Sequence, residues 1–222
     1  MPANTSPNEE THTVVAVLGL GEAGGALAGD LADAGATVRG YDPADVTVPL
    51  GVTAAGSEAE AVTGAHLVLS VNSASAAPEA LRAAASSVSP RAVWADLNTA
   101  SPGAKRDLAR TAARHGLTFA DVAIMAPVPG RGLRVPMLAS GGGAEPTARL
   151  LTPLGAFVEC IEGEPGTAAE RKLLRSVFFK GLAAAVVEAL AAGRAAGCEE
   201  WVRENIVTEL TEADAATVDR LV

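Results

Sequence analysis

Between Thr13 and Asp42 the chain changes its apolar rhythm three times. Val14–Leu18 is an unbroken apolar run, as expected of a strand covered on both faces. Glycines follow at positions 19, 21 and 24, then a helical stretch to about Gly35 and a second strand over Thr37–Tyr41 that ends at Asp42. The alternation continues downstream. A short helix is expected over Ser57–Val62, where Ser57 and Glu60 have the spacing of a capping box, and a strand over His66–Val71. A helix from about Pro78 to Val88 and a strand over Arg91–Ala95 come next. Ser101 and Pro102 suit a helix N-cap and first position, and His115-Gly116 suits its stop. Strands are expected over Thr118–Ile124, Pro136–Ser140 and Phe157–Ile161, with a Pro- and Gly-rich loop, Ala126–Arg134, and a helix around Pro146–Leu154 between them.

Strands that alternate with helices in this way predict an α/β fold, a doubly wound, mostly parallel Rossmann sheet. At Glu162–Thr167 the strand period ends. Ala168–Ala196 reads as one long helix, Glu199–Leu210 as another, and a last one begins near Glu212, so a smaller all-α domain closes the chain. The expected organisation is a polar arm over 1–12, disordered by composition, an α/β domain over 13–163 and a helical domain over 164–222.

Gly19-x-Gly21-x-x-Gly24 follows a strand and opens a helix, the context in which this spacing binds a dinucleotide. Gly19 allows the turn, Gly21 admits a pyrophosphate to the backbone, and Gly24 lets helix and strand approach. The cradle is expected to comprise Gly19, Leu20, Gly21, Glu22, Ala23 and Gly24, with the helix N-terminus facing the phosphates. Asp42 lies near the distance at which a carboxylate grips a ribose 2′-hydroxyl, which favours NAD, with NADP the alternative. Arg39, three residues earlier, points to the other face of its strand and is poorly placed to hold a 2′-phosphate. An acid before Pro43 also suits a plain turn. Asn72 and Asn98-Thr99 fall at carboxyl ends of strands, where such sheets bind ligands, although Asn and Thr form turns there too.

Composition narrows the partners. A net charge of −9 over 222 residues argues against nucleic acid or an anionic membrane surface as a general partner. No uninterrupted apolar run reaches the roughly 18 residues of a membrane span, and the first twelve residues lack the apolar core of a signal peptide. Two cysteines, Cys160 and Cys198, and three scattered histidines offer neither a disulfide framework nor a metal cluster, so a reducing, cytoplasmic setting is expected.

On the long helix, Leu173, Leu174, Val177, Phe178, Leu182 and Val186 make most of the circumference apolar, as in a buried helix. Lys172, Ser176, Phe179 and Ala183 form one stripe, flanked by Arg175 and Lys180. That narrow cationic face is either solvated or turned towards the nucleotide to hold an anionic substrate.

The chain resembles the β-hydroxyacid dehydrogenase family, which includes 3-hydroxyisobutyrate and 6-phosphogluconate dehydrogenases. The likeness covers about residues 13–200 and rests on the glycine fingerprint, on Asp96–Pro102 (DLNTASP) against the family's D-x-S-T-x-S-P loop, and on Lys172-Leu173 followed by Glu188-Ala189. Arg175–Gly181 (RSVFFKG) resembles a subgroup whose C-terminal domain has no assigned function. The resemblance implies an NAD(P)-dependent oxidoreductase acting on a small, anionic, β-hydroxyacid-like substrate. Lys172 would be general acid/base, and Asn98 and Ser176 would stand beside it. Ser176 replaces the family's asparagine, and Met125 or Pro129 falls where the family has a substrate-binding serine; backbone amides near Gly130–Gly132, or Arg131 and Arg134, would have to replace it. These departures leave imine reduction and a non-catalytic dinucleotide-binding module as alternatives. By the same comparison the region after Gly197 is short or truncated, so a homodimer is expected to complete the site.

Overall fold

The computed structural model describes residues 13–220; the polar arm lies outside them. Eight strands and eight α-helices follow one another: β1 Val14–Leu18, α1 Glu22–Asp33, β2 Thr37–Tyr41, β3 Val52–Ala54, α2 Glu58–Val62, β4 Leu67–Ser70, α3 Ala77–Ala84, β5 Val93–Asp96, α4 Pro102–Arg114, β6 Thr118–Ile124, β7 Pro136–Ser140, α5 Ala144–Leu151, β8 Phe157–Cys160, α6 Thr167–Ala195, α7 Glu199–Glu212 and α8 Ala215–Arg220. The strands form one sheet in the order β3-β2-β1-β4-β5-β6-β7-β8. Every pairing is parallel except β6 with β7. The fold is the doubly wound sheet that the strand–helix alternation implies.

Central strands are covered on both faces, and the two-residue period sorts their side chains between two apolar layers. Val15 and Val17 of β1 pack with Leu27 and Leu31 of α1, whereas Ala16 and Leu18 pack with Leu81, Trp94 and Leu108 on the opposite face. Local chemistry sets the helix ends. Ser101 Oγ accepts from Ala104 N at 3.2 Å, and Ser57 Oγ accepts from Glu60 N at 3.2 Å. Glu60 closes its box one residue early, accepting from Gly56 N at 2.7 Å.

Two readings are corrected. The three-residue edge strand β3 follows a Pro-rich loop and carries too few apolar residues for the sequence pattern to register it. The long helix is not enclosed. Leu174, Val177 and Phe178 of α6 are 66%, 72% and 62% exposed. The chain divides into two compact units, one through Lys172 and a second from Leu173 to Val222. The second unit has too little chain to bury a 29-residue helix on all sides.

Within that second unit the Arg175 guanidinium stacks 4.2 Å from the Phe179 ring centre, and Phe178 meets Phe179 edge-on. By length and composition α6 is also apolar enough to cross a membrane, with mean hydropathy 1.5 over its best 18-residue window. A search for uninterrupted apolar runs passes over such a window, because the window tolerates two charges.

A candidate dinucleotide site and a half-buried lysine

The order of the sheet reverses between β1 and β4, where a crevice opens at the carboxyl ends of the strands. Gly19 leaves β1 with φ +96°, a conformation L side chains rarely adopt. A Cβ on it would stand 2.6 Å from Asn72 Cα, so the turn after β1 lies against the turn after β4. A Cβ on Gly24 would stand 1.9 Å from the Gly19 carbonyl oxygen, so α1 packs directly on the turn. Gly21 differs from both, since a Cβ there would meet nothing within 4 Å. It is also the N-cap of α1 and supplies no side-chain cap. The first-turn amides of Glu22, Ala23 and Gly24 therefore face a space that an anion can fill.

Asp42 closes this cradle from β2. Its Oδ2 accepts from Leu20 N at 2.8 Å and its Oδ1 from Ala44 N at 2.9 Å. It thus orders both the glycine turn and the loop beyond β2. Beside it lies a cleft of about 370 Å³ lined by Gly19, Tyr41, Pro43, Glu58 and Asn72 among others. An open cradle at Gly21, a carboxylate at the end of β2 and a largely apolar cleft nearby fit the phosphates, ribose and adenine of a dinucleotide.

The turns after β4 and β5 are tied together by Asn98, which is buried. Its Nδ2 donates to Asp96 Oδ2 at 2.8 Å and to Asn72 Oδ1 at 3.0 Å, with Ser70 Oγ at 3.1 Å. The amide nitrogen is thus committed inside the fold, and through it Asn72 is held at the crevice floor. Thr99, the next residue, is exposed. Its Oγ1 accepts from Lys172 Nζ at 2.8 Å. Lys172 is half-buried on α6, and its amine is held below the usual lysine range. Burial is the main cause, the Lys105 ammonium adds to it, and the Asp121 carboxylate opposes it. Of the sequence candidates, Gly19–Gly24, Asp42, Asn72, Asn98, Thr99 and Lys172 all belong to the first compact unit. Ser176 belongs to the second, half-buried on its helix.

Arg134 lines a surface depression with Asp30, Asp33 and Leu154, at the C-terminal end of α1, and Leu133 N donates to Asp30 Oδ2 at 2.7 Å. Twelve residues of helix, about 18 Å, separate that end from the glycine cradle, so Arg134 lies away from the phosphate seat. Met125 stands at the end of β6, its amide donating to Pro136 O at 2.8 Å.

The sequence reading overlooked Lys105. Its side chain is fully buried on α4, with Nζ 2.7 Å from Asp96 O, 2.5 Å from Asp96 Oδ1 and 3.2 Å from Asp121 Oδ1. A signal was present: Lys105, Leu108 and Ala112 recur at three- and four-residue spacing, which places the lysine on the apolar stripe of its helix.

Comparison with known proteins agrees with this geometry. Residues 14–152 match the family model for the NAD binding domain of 6-phosphogluconate dehydrogenase. The chain is 30% identical to a 3-hydroxyisobutyrate dehydrogenase of Pseudomonas aeruginosa over 207 residues, covering 89% of this chain and 70% of that protein. Among solved structures, a conserved protein of unknown function, described as similar to 3-hydroxyacid dehydrogenases, is 31% identical with a TM-score of 0.72, over 94% of this chain and 81% of that one. An imine reductase of Streptomyces aurantiacus is 26% identical with a TM-score of 0.75, over 94% and 78%. The cofactor is a nicotinamide dinucleotide, and the chain belongs to the β-hydroxyacid dehydrogenase family of oxidoreductases.

Proposed function

We propose that this protein moves a hydride between a nicotinamide cofactor and a small, anionic, β-hydroxyacid-like substrate, with Lys172 as general acid/base. The observation that carries the reading is the contact of Lys172 Nζ with Thr99 Oγ1 at 2.8 Å, from a half-buried position, beside the crevice that fits the dinucleotide. When bound, the nicotinamide ring supplies or accepts the hydride. Lys172 gives a proton to the substrate oxygen in the reducing direction and takes it in the oxidising one. Its lowered proton affinity eases proton release relative to a free lysine, and such a group contributes about 10²–10⁴ in rate. Asn98 acts by holding Asn72, and Thr99 orients the lysine. Asp42 supports NAD over NADP, since its carboxylate would repel a 2′-phosphate.

The exposed apolar side chains of α6 and α7, among them Val177, Phe178 and Trp201, support a homodimer in which a second copy covers them. The two free cysteines suit a reducing, cytoplasmic setting.

The test is absorbance of the reduced nicotinamide over a panel of hydroxy acids, keto acids and cyclic imines. Lys172→Ala is expected to lose the rate factor above with cofactor affinity unchanged, and full activity in that variant ends the assignment. Imine reduction is the second reading, supported by Met125 at the serine position and by the imine reductase likeness. Turnover of imines alone would select it. Cofactor binding with no turnover across the panel would leave a dinucleotide-binding module.

A further inference from the structure

The sheet caps the first turn of α6. Asp121 Oδ2, at the middle of β6, accepts from Gly166 N at 2.9 Å and from Ala169 N at 3.0 Å. Ser140 Oγ, on β7, accepts from Ala168 N at 3.1 Å and lies 3.4 Å from the same carboxylate oxygen. Asp121 and Ser140 are both fully buried. A buried carboxylate at a helix N-terminus satisfies orphan amides and complements the helix dipole, so this is a strong anchor. Lys172 lies three and four residues beyond Ala169 and Ala168, on the same face of the helix and therefore directly above the anchor. Behind the anchor stands Lys105, with its ammonium 3.2 Å from the other Asp121 oxygen in an ionic contact that lacks hydrogen-bond geometry.

A fully buried lysine is unusual, and stability alone gives little reason to keep one. Replacing a buried ion pair by apolar residues of similar size is often neutral or better. We propose that Lys105 is a positioning residue for Lys172: it holds Asp121 under the first turn of α6, so fixing where the Lys172 ammonium meets Thr99, and stands behind that ammonium as a second positive charge. This rests on the acid/base role given to Lys172 above. Lys105 touches neither the cradle nor the Thr99 hydroxyl and acts only through Asp96, Asp121 and the helix they anchor. The charged groups that act on Lys172 include Lys105 from α4 and Asp121 from β6, with Asp96 of β5 reached through Lys105, and its own helix carries Glu170, Arg171 and Arg175. Burial lowers the proton affinity of Lys172 most, and on top of it Lys105 lowers that affinity further while Asp121 raises it.

The prediction therefore has two signs. Lys105, Lys172 and Lys180 are the three lysines of the chain, so ¹³Cε-lysine NMR resolves the titration of Lys172, assigned by Lys172→Arg and Lys180→Arg. In Lys105→Met/Asp96→Asn, which removes the buried ammonium together with the carboxylate nearest it and leaves Asp121 its two backbone donors, the Lys172 midpoint is expected to rise by about one pH unit, the lower end of what one neighbouring charge does. In Asp121→Asn it is expected to fall. Lys105→Arg keeps the charge and should restore the wild-type midpoint. The pH profile of kcat should move with the midpoint, while cofactor affinity stays constant.

A midpoint that stays fixed in both variants while their melting temperatures drop would show a purely structural pair and overturn the proposal. So would a shift of the wrong sign in either. Should one variant fail to fold, the other still decides. The titration is read without substrate, so its failure is separate from that of the acid/base role, which Lys172→Ala turnover reports.

Discussion

Gly21→Ala separates binding from folding within a single glycine motif. Gly21 has φ −62° and ψ −166°, a region open to alanine, and a Cβ there would meet no atom within 4 Å. Chain entropy favours the alanine by about 0.4–1 kcal/mol. Alanine is a poorer N-cap than glycine by roughly 0.5–1 kcal/mol. The two effects offset each other, so the free variant should melt within about 2 °C of the wild type. The added methyl instead occupies the space that a pyrophosphate must enter. Losing one charge-assisted hydrogen bond costs about 1.5–3 kcal/mol, which weakens NAD by roughly 10- to 100-fold.

The assay is calorimetric titration with NAD, joined to thermal melts with and without it. NAD at about 100 times its Kd stabilises the wild type by about 2.7 kcal/mol, or roughly 5–10 °C for a chain of this length. At the same NAD concentration the variant gains only about 0.4–1.4 kcal/mol. Gly24→Ala should behave in the opposite way. Its Cβ would stand 1.9 Å from the Gly19 carbonyl oxygen, so α1 must move off the turn and the free protein must melt lower. A Gly21→Ala variant that binds NAD as the wild type does would refute the seat assigned to the pyrophosphate.

Other consequences are independent. Asp42→Ala should raise NADP affinity relative to NAD and loosen both, because Asp42 also holds the Leu20 and Ala44 amides; dissociation constants for the two cofactors report it. Ser101→Ala removes the bond to the Ala104 amide and should cost about 1 kcal/mol, read as a fall of roughly 2–4 °C in melting temperature. Val177→Glu/Phe178→Glu should shift mass in light scattering from dimer to monomer; recovery of the wild type only with lipid or detergent would instead assign the α6 face to a membrane. Lys172→Met should stabilise the fold at neutral pH. The folded amine lies below its ordinary 10.5, so the unfolded chain binds the proton more tightly. The resulting cost to the fold is full below the folded value and fades as pH rises towards 10.5, so the gain from Met should shrink over that window.

What the sequence discloses follows the range of the forces involved. The glycine turn is legible because its causes are local: Gly19 needs a positive φ, Gly24 a close contact within the same turn, and Gly21 an open face. Helix starts at Ser57 and Ser101 are legible for the same reason, each cap reaching only three residues ahead. The apolar circumference of α6 is legible as apolarity but not as burial. Hydrophobicity says that a face should be covered; it does not say which chain covers it, and within the second unit Leu174, Val177 and Phe178 stay exposed.

Lys105 marks the opposite limit. Read along the chain it is a helix lysine beside Arg106, an ordinary solvated pair. Its meaning comes from Asp96, nine residues back, and Asp121, sixteen ahead, which the parallel register of β5 and β6 places directly opposite each other. That register also delivers Asp121 to Gly166 and Ala169, more than forty residues further on. The lysine that the motif names, Lys172, is therefore set in place by residues the motif omits. A variant matching the family at Lys172 but lacking Lys105 would keep the signature and hold its proton more tightly. The test of that order of causes is the Lys172 titration itself, which must follow the buried pair rather than the motif.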